Sequence, residues 1–146
     1  MNLQFEIHKI SHITSNLFLG SVRHPRNQTE EFCGLKPDVI INCCNEYTHS
    51  AIPDCIIENY PIDDGVNATI EPYLDPTADS IHGHIEQGRR IYIHCMQGRS
   101  RSPSVVIYYL MKYQKMSFDK AYAEVAQVRP IILPNPKFVE EIKKKK

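Results

Sequence analysis

At 146 residues the chain is long enough for one domain with its own core, and 17 basic side chains against 17 acidic ones leave no net charge. That balance argues against a general nucleic-acid-binding role. Apolar residues make up 42% and charged ones 23%, yet the longest apolar stretch, Val105 to Met111, falls far short of a bilayer span, and the start Met1-Asn2-Leu3-Gln4-Phe5-Glu6 lacks a basic region followed by an apolar one. Five cysteines at irregular spacing, Cys33, Cys43, Cys44, Cys55 and Cys95, form no disulfide framework and suit a reducing compartment, so the expected location is cytoplasmic, with the nucleus also open to it.

In chain order, Phe5–Ile10 and Leu17–Leu19 read as short strands, and Gly20 with Arg23-His24-Pro25-Arg26-Asn27 reads as a loop. A short helix follows from Asn27 or Thr29, with Glu30 and Glu31 in its first turn, ended by Gly34 and Pro37. Asp38–Cys43 is a continuous apolar run of the kind a buried central strand shows, and Cys55–Tyr60 reads as another strand. From Thr69 to Gln87, Ile70, Tyr73, Leu74, Ala78, Ile81 and Ile85 recur at helical spacing. Pro76 interrupts them, which favours a helix beginning with Asp75 as N-cap over one kinked at the proline. Ile91–His94 is a strand. A long apolar helix begins near Pro103, and Ser117 caps a helix over Phe118–Val128 with Ala121, Tyr122, Val125 and Val128 inward. A last helix after Asn135 ends in Lys143–Lys146, where positive charge complements its dipole. Strands alternating with helices imply an α/β domain whose sheet is covered on both faces.

The most informative stretch is His94-Cys95-Met96-Gln97-Gly98-Arg99-Ser100-Arg101-Ser102, a tight loop between strand and helix. That order aims the backbone N–H groups of the loop and of the first helical turn at one spot, with the positive end of the helix dipole behind them, so an anion belongs there. Gly98 permits positive φ or close approach to a bound oxygen. Pro103 suits a first helical turn. Cys95 lies at the loop entrance, where the field that attracts phosphate also favours a thiolate, the nucleophilic form. The planar fork of Arg101 can hold two phosphoryl oxygens, a task the point charge of a lysine does not match. The N–H groups from Met96, Gln97, Gly98, Arg99 and Ser100 would hold the substrate phosphate.

The Cys95, five intervening residues, Arg101, Ser102 arrangement resembles the signature of the cysteine-dependent protein tyrosine phosphatases, in the form used by their dual-specificity branch. The resemblance extends from Ile13-Thr14-Ser15-Asn16-Leu17-Phe18-Leu19-Gly20 to Arg129-Pro130-Ile131-Ile132-Leu133-Pro134-Asn135-Pro136-Lys137-Phe138. It implies a central, mostly parallel sheet of about five strands with helices on both faces, in a single catalytic domain over 1–146. It also implies hydrolysis of phosphotyrosine and phosphoserine/threonine in proteins through a cysteinyl-phosphate, with no cofactor and no metal. Relatives of this kind take a general acid from the loop here formed by Pro61–Asn67. Counting back from Tyr73 selects Asp64, with Asp63 the alternative. Ser102 would donate to the Cys95 sulfur as it leaves, and His94 would orient the loop.

Gln97 and Arg99 depart from the commonest dual-specificity pattern. Related phosphatases with extra basic loop residues act on lipids, so a phosphoinositide or other lipid phosphate is the alternative substrate. A non-catalytic phospho-binding module is a third reading, disfavoured because Cys95 and Arg101 are both present. Among the lipid phosphatases a cysteine in the position of Cys44 forms a reversible disulfide with the nucleophile, which makes Cys44 a candidate redox partner of Cys95. The length leaves no room for the kinase-docking domain of larger relatives, so the expected partner is a phosphorylated protein of unspecified identity. His82 and His84 are two apart on a helix and do not share a face for a metal. Arg23, Arg26, Arg89, Arg90 and the lysine tail read as solvated.

Overall fold

The computed structural model describes residues 2–145. Met1 and the last lysine of the tail, Lys146, lie outside the described residues. The elements run α1 (Leu3–Ile7), β1 (Ser11–Thr14), β2 (Leu17–Gly20), α2 (Arg23–Asn27), α3 (Glu30–Leu35), β3 (Val39–Asn42), β4 (Ile56–Asn59), α4 (Glu71–Glu86), β5 (Ile91–His94), α5 (Arg101–Tyr113), α6 (Phe118–Val128) and α7 (Pro136–Lys143). The strands form one sheet in the order β1-β2-β5-β3-β4. Only β1 runs antiparallel to its neighbour, while β2, β5, β3 and β4 are mutually parallel.

Alternation along the strands divides the core. Leu17, Leu19, Val39, Ile41, Ile91 and Ile93 face the layer made by α4, α5, α6 and α7, and the intervening Phe18, Ile40 and Tyr92 face Phe32 of α3 and Ile10. Both faces are therefore covered, which is why β3 and β5, buried at every position, read as unbroken apolar runs. Helix α5 is the central helix of its layer. Its residues from Arg101 to Leu110 are all buried, as a helix flanked on several sides must be. Thr29 and Ser117 cap α3 and α6 through Phe32 N and Lys120 N, and Asn135 caps α7 through Lys137 N.

Four local readings need correction. Phe5–Ile10 is not a strand: Leu3–Ile7 is helical, with the Asn2 side chain accepting from Phe5 N. Arg23–Asn27 is a short helix, closed by Gln28 in the left-handed region. Helix α4 begins at Glu71 and carries Pro76 inside it, because its start is capped from a distant element. The Glu141 carboxylate of α7 accepts from Ile70 N at 2.8 Å and Glu71 N at 2.9 Å, satisfying N–H groups that no local side chain reaches. Val128 is 44% exposed, since α6 ends as the chain turns toward Arg129. The surface cations are also less idle than expected. Arg90 donates to Leu35 O and lies over the Phe18 ring, Arg89 meets His84, and Lys145 pairs with Glu71 and Asp75.

Candidate active site

Strand β5, held between β2 and β3, ends at His94, and α5 begins at Arg101. The six residues between them make the loop, and each of its carbonyls accepts a hydrogen bond from surrounding protein. Cys95 O meets His94 Nδ1 at 2.8 Å. Met96 O accepts from Val22 N at 3.1 Å, Arg99 O from Leu133 N at 2.7 Å and Ser100 O from Ser104 N at 3.0 Å. Gln97 O and Gly98 O both accept from Arg129. With the carbonyls engaged outside, the N–H groups turn the other way. Among the described residues, none of the N–H groups from Met96 to Arg101 donates to a protein acceptor, the arrangement that an anion completes.

Gly98 has φ of 66°, and a Cβ built there would lie 2.6 Å from Gly20 O and 2.8 Å from an Arg129 nitrogen. No other residue type fits that turn without displacing backbone. The loop borders a cavity of about 320 Å³ that also includes Glu46, Asp64, Cys95 and Arg101.

Cys95 is only 3% exposed, and Ser102 Oγ donates to its sulfur at 3.2 Å. Arg101, 5% exposed, is held by a bidentate pair with Glu46, one arm being Nη2 to Oε2 at 2.9 Å, and by Nη1 to Ile62 O at 2.9 Å. Its Nε is buried without a partner, a donor that a phosphoryl oxygen could satisfy. Burial disfavours the Arg101 charge, but the Glu46 carboxylate, then the Cys95 sulfur and Asp64, more than offset it and raise its pKa. The same pair lowers the pKa of Glu46.

The two candidate acids separate cleanly. Asp64 borders the cavity and accepts from Ser100 Oγ at 3.0 Å, whereas Asp63 Oδ1 accepts from the Asp64 backbone N–H at 2.9 Å and caps the turn. Asn135 completes the arrangement, its backbone N donating to Ser100 Oγ at 2.9 Å and its side chain to Gly65 O at 3.0 Å.

His94 is fully buried. Because a carbonyl can only accept, its Nδ1 carries the proton toward Cys95 O, and its bare Nε2 accepts from His49 Nε2 at 2.8 Å. Burial chiefly, helped by His49, pushes the His94 pKa down to about 3 despite the opposing Cys95 carbonyl. Burial also lowers that of His49. The pair is neutral at physiological pH, and its hydrogen bond to Cys95 O joins it to the loop entrance.

Of the remaining candidates, Arg99 borders the cavity with its Nε donating to Ile131 O at 3.0 Å. Cys44 is buried, its thiol donating to Asn42 Oδ1 at 2.9 Å; burial chiefly pushes its pKa up to about 11. His84 is engaged by Glu58 at 2.7 Å, and His82 stacks on Tyr113. Sequence reasoning missed Glu46 and His49, which lie in an irregular segment without periodicity. It quoted Arg129 only as part of a closing segment.

A parallel sheet that delivers a loop of inward-facing N–H groups to a helix N-terminus, beside a buried thiol and an arginine fork, defines a phosphate-handling protein. The family model for the dual specificity phosphatase catalytic domain matches residues 17–146, and the chain belongs to that family. It is a protein phosphatase, a hydrolase. Human dual specificity protein phosphatase 18 is 32% identical over 134 residues, covering 91% of this chain and 70% of the relative. Human dual specificity protein phosphatase 21 is 34% identical over 140 residues, covering 95% and 73%. The crystal structure of human DUSP28 superposes with a TM-score of 0.83 at 25% identity, covering 92% of this chain and 90% of the other. The lipid-phosphatase alternative has no counterpart among these relatives. No helix among the described residues is long and apolar enough to cross a membrane.

Proposed function

We propose that the chain acts as a single phosphatase domain in which Cys95 is the nucleophile, Arg101 the phosphoryl clamp and Asp64 the general acid and base. The Cys95 thiolate attacks phosphorus in line as the ester P–O bond breaks. Asp64 gives its proton to the departing phenoxide or alkoxide, leaving a cysteinyl-phosphate. Water then attacks phosphorus while the Asp64 carboxylate takes its proton, and Cys95 departs as thiolate with the Ser102 hydroxyl donating to the sulfur. Inorganic phosphate is the product. The N–H groups from Met96, Gln97, Gly98, Arg99 and Ser100, with the free Nε of Arg101, stabilise the equatorial oxygens in both steps. His94 acts through the loop backbone and transfers no proton.

The observation that carries this reading is the convergence of Cys95, Arg101 and Asp64 on one cavity, with Ser100 tying the acid loop to the phosphate loop. The substrates are phosphotyrosine and phosphoserine/threonine proteins of the cytoplasm or nucleus. Cys44 is the resolving thiol if Cys95 is oxidised to a sulfenic acid. Its protonated, hydrogen-bonded state argues for a residue inert in the resting enzyme.

The test is phosphate release at about pH 6 from a Thr/Tyr bisphosphorylated peptide and from phosphoinositides, with Cys95→Ser as blank. Turnover of the peptide that vanishes in the blank supports the assignment. Turnover of lipid alone overturns the protein substrate, and silence throughout would favour phosphate binding without hydrolysis.

A further inference from the structure

Arg129 is the most completely buried charged residue of the structure, 1% exposed, and makes no salt bridge among the described residues. All five of its N–H donors are used, each on a neutral oxygen. Nε donates to Gly98 O at 2.7 Å and one Nη2 proton to Gln97 O at 2.9 Å. The other Nη2 proton goes to Ile7 O at 2.8 Å, and Nη1 donates to Lys9 O at 2.7 Å and to Ser11 Oγ at 3.1 Å. One edge of the guanidinium thus grips two consecutive carbonyls of the phosphate loop, and the other edge grips the segment from the last residue of α1 to the first of β1.

We infer that Arg129 is a positioning residue for phosphoryl transfer, and that residues 7–11 are part of the active-site scaffold through it. Two of the six outward carbonyls depend on this one side chain. If Gln97 O and Gly98 O were released, the peptide planes between Gln97 and Arg99 could rotate, and the N–H groups of Gly98 and Arg99 would leave the anion's reach. The planar fork is essential, because a lysine ammonium offers three donors from one point and spans at most one edge of this arrangement. The positive charge has a second use. Burial works against that charge and lowers the Arg129 pKa, with Tyr92 and then the Cys95 sulfur opposing the shift; with no salt-bridge partner among the described residues, the guanidinium can oppose the negative charge that accumulates inside the loop.

The inference rests on the phosphatase reading, and its test separates the two. The variants Arg129→Lys and Ser11→Ala are compared with the wild type in kcat/KM on an aryl phosphate, in the rate of Cys95 alkylation by iodoacetate, and in Kd for inorganic phosphate measured in a Cys95→Ser background. Thermal unfolding runs in parallel. Arg129→Lys should lose on the order of 100-fold in kcat/KM, comparable to removal of an oxyanion donor, with weaker phosphate binding and slower alkylation at temperatures well below its unfolding midpoint. Ser11→Ala, which removes one of the five acceptors, should lose roughly threefold. A merely structural arginine would lower the unfolding midpoint and leave phosphate affinity and alkylation unchanged, and that result in Arg129→Lys overturns the inference. Should Arg129→Lys not fold, Ser11→Ala decides, and wild-type values there also overturn it. An inactive wild type would instead overturn the phosphatase reading, with phosphate binding still testing the role of Arg129.

Discussion

Acidification should destabilise this protein chiefly through the buried His94 imidazole, with His49 and His8 shifted in the same direction, before any carboxylate is protonated. In the unfolded chain His94 takes up a proton near its ordinary pKa of 6.5, whereas in the fold that value is pushed down to about 3. Between the two, the unfolded state binds the extra proton, so the stability is complete above pH 6.5 and is lost as pH falls toward 3. The slope is about 1.4 kcal/mol per pH unit, which accumulates to about 3 kcal/mol at pH 4.5 and to roughly 10 °C in Tm for a domain of this size. The depressed carboxylates, Glu46, Glu58, Asp75, Asp79 and Glu141, have the opposite ordinary charge but the same sign of effect. Their loss begins only below about pH 4.5, where unfolded carboxyls protonate. The assay is urea denaturation between pH 7.5 and 4.5 (roughly half-unit steps), comparing the wild type with His94→Asn, which keeps a donor for Cys95 O but has nothing to titrate. The variant should start about 1–3 kcal/mol less stable, because His49 loses its acceptor. It should then close that gap as pH falls, since it lacks the His94 slope. Parallel curves for the two proteins over this window would refute a neutral, buried His94.

Three further outcomes follow from the site. Asp64→Asn should lower kcat by roughly 10²- to 10⁴-fold on a phosphoserine peptide, with a smaller loss on a nitrophenyl phosphate, whose leaving group needs little help. Asp63→Asn should stay within a factor of about three, and steady-state kinetics of both variants on both substrates would expose a wrong assignment as equal losses. Gly98→Ala places a methyl 2.6 Å from Gly20 O at a φ of 66°. The left-handed backbone alone costs about 1–2 kcal/mol, so inorganic phosphate titrated calorimetrically into this variant should bind at least ~10-fold more weakly. After a pulse of hydrogen peroxide, wild-type activity should return on adding a thiol reductant while that of Cys44→Ser does not, the unprotected sulfenic acid having advanced along the oxidation ladder. Equal recovery would remove Cys44 from any protective role.

The readable parts of the chain were those whose physics is local. The apolar runs of β3 and β5, the Ser117 cap, the helix after Asn135 and the strand-loop-helix order around Cys95 each declare themselves within a few residues, whereas the start of α3 was left between Asn27 and Thr29 and falls at Thr29. Helix α4 does not. Its N-terminus is capped by Glu141, 70 residues away, so the local signal of Asp75-Pro76 competed with nothing visible and moved the expected start from Glu71 to Pro76. Helices α1 and α2 have five residues each, too few to display a period, and are held by the residues they pack against. The candidate phosphate loop was legible because a backbone anion site needs glycine and a helix start at fixed spacing. Glu46, His49 and Arg129 were not, because each acts on that loop from a remote segment, and only the folded chain brings a carboxylate to Arg101 or a second imidazole to His94.

The outward tethering of the loop carbonyls also bears on how such a site could diversify. In the proposed site anion recognition lies in main-chain geometry, held from outside by hydrogen bonds to the loop carbonyls from His94, Val22, Arg129, Leu133 and Ser104. Met96, Gln97 and Arg99 border the cavity, and the proposed grip on the anion uses their backbone N–H groups and not their side chains. Substitutions at these three positions can therefore alter which phosphoester enters while leaving the grip on the phosphoryl group in place. Selectivity and chemistry are assigned to separate atoms of the same residues, so a library randomised at positions 96, 97 and 99 should be rich in folded, active enzymes with altered preferences.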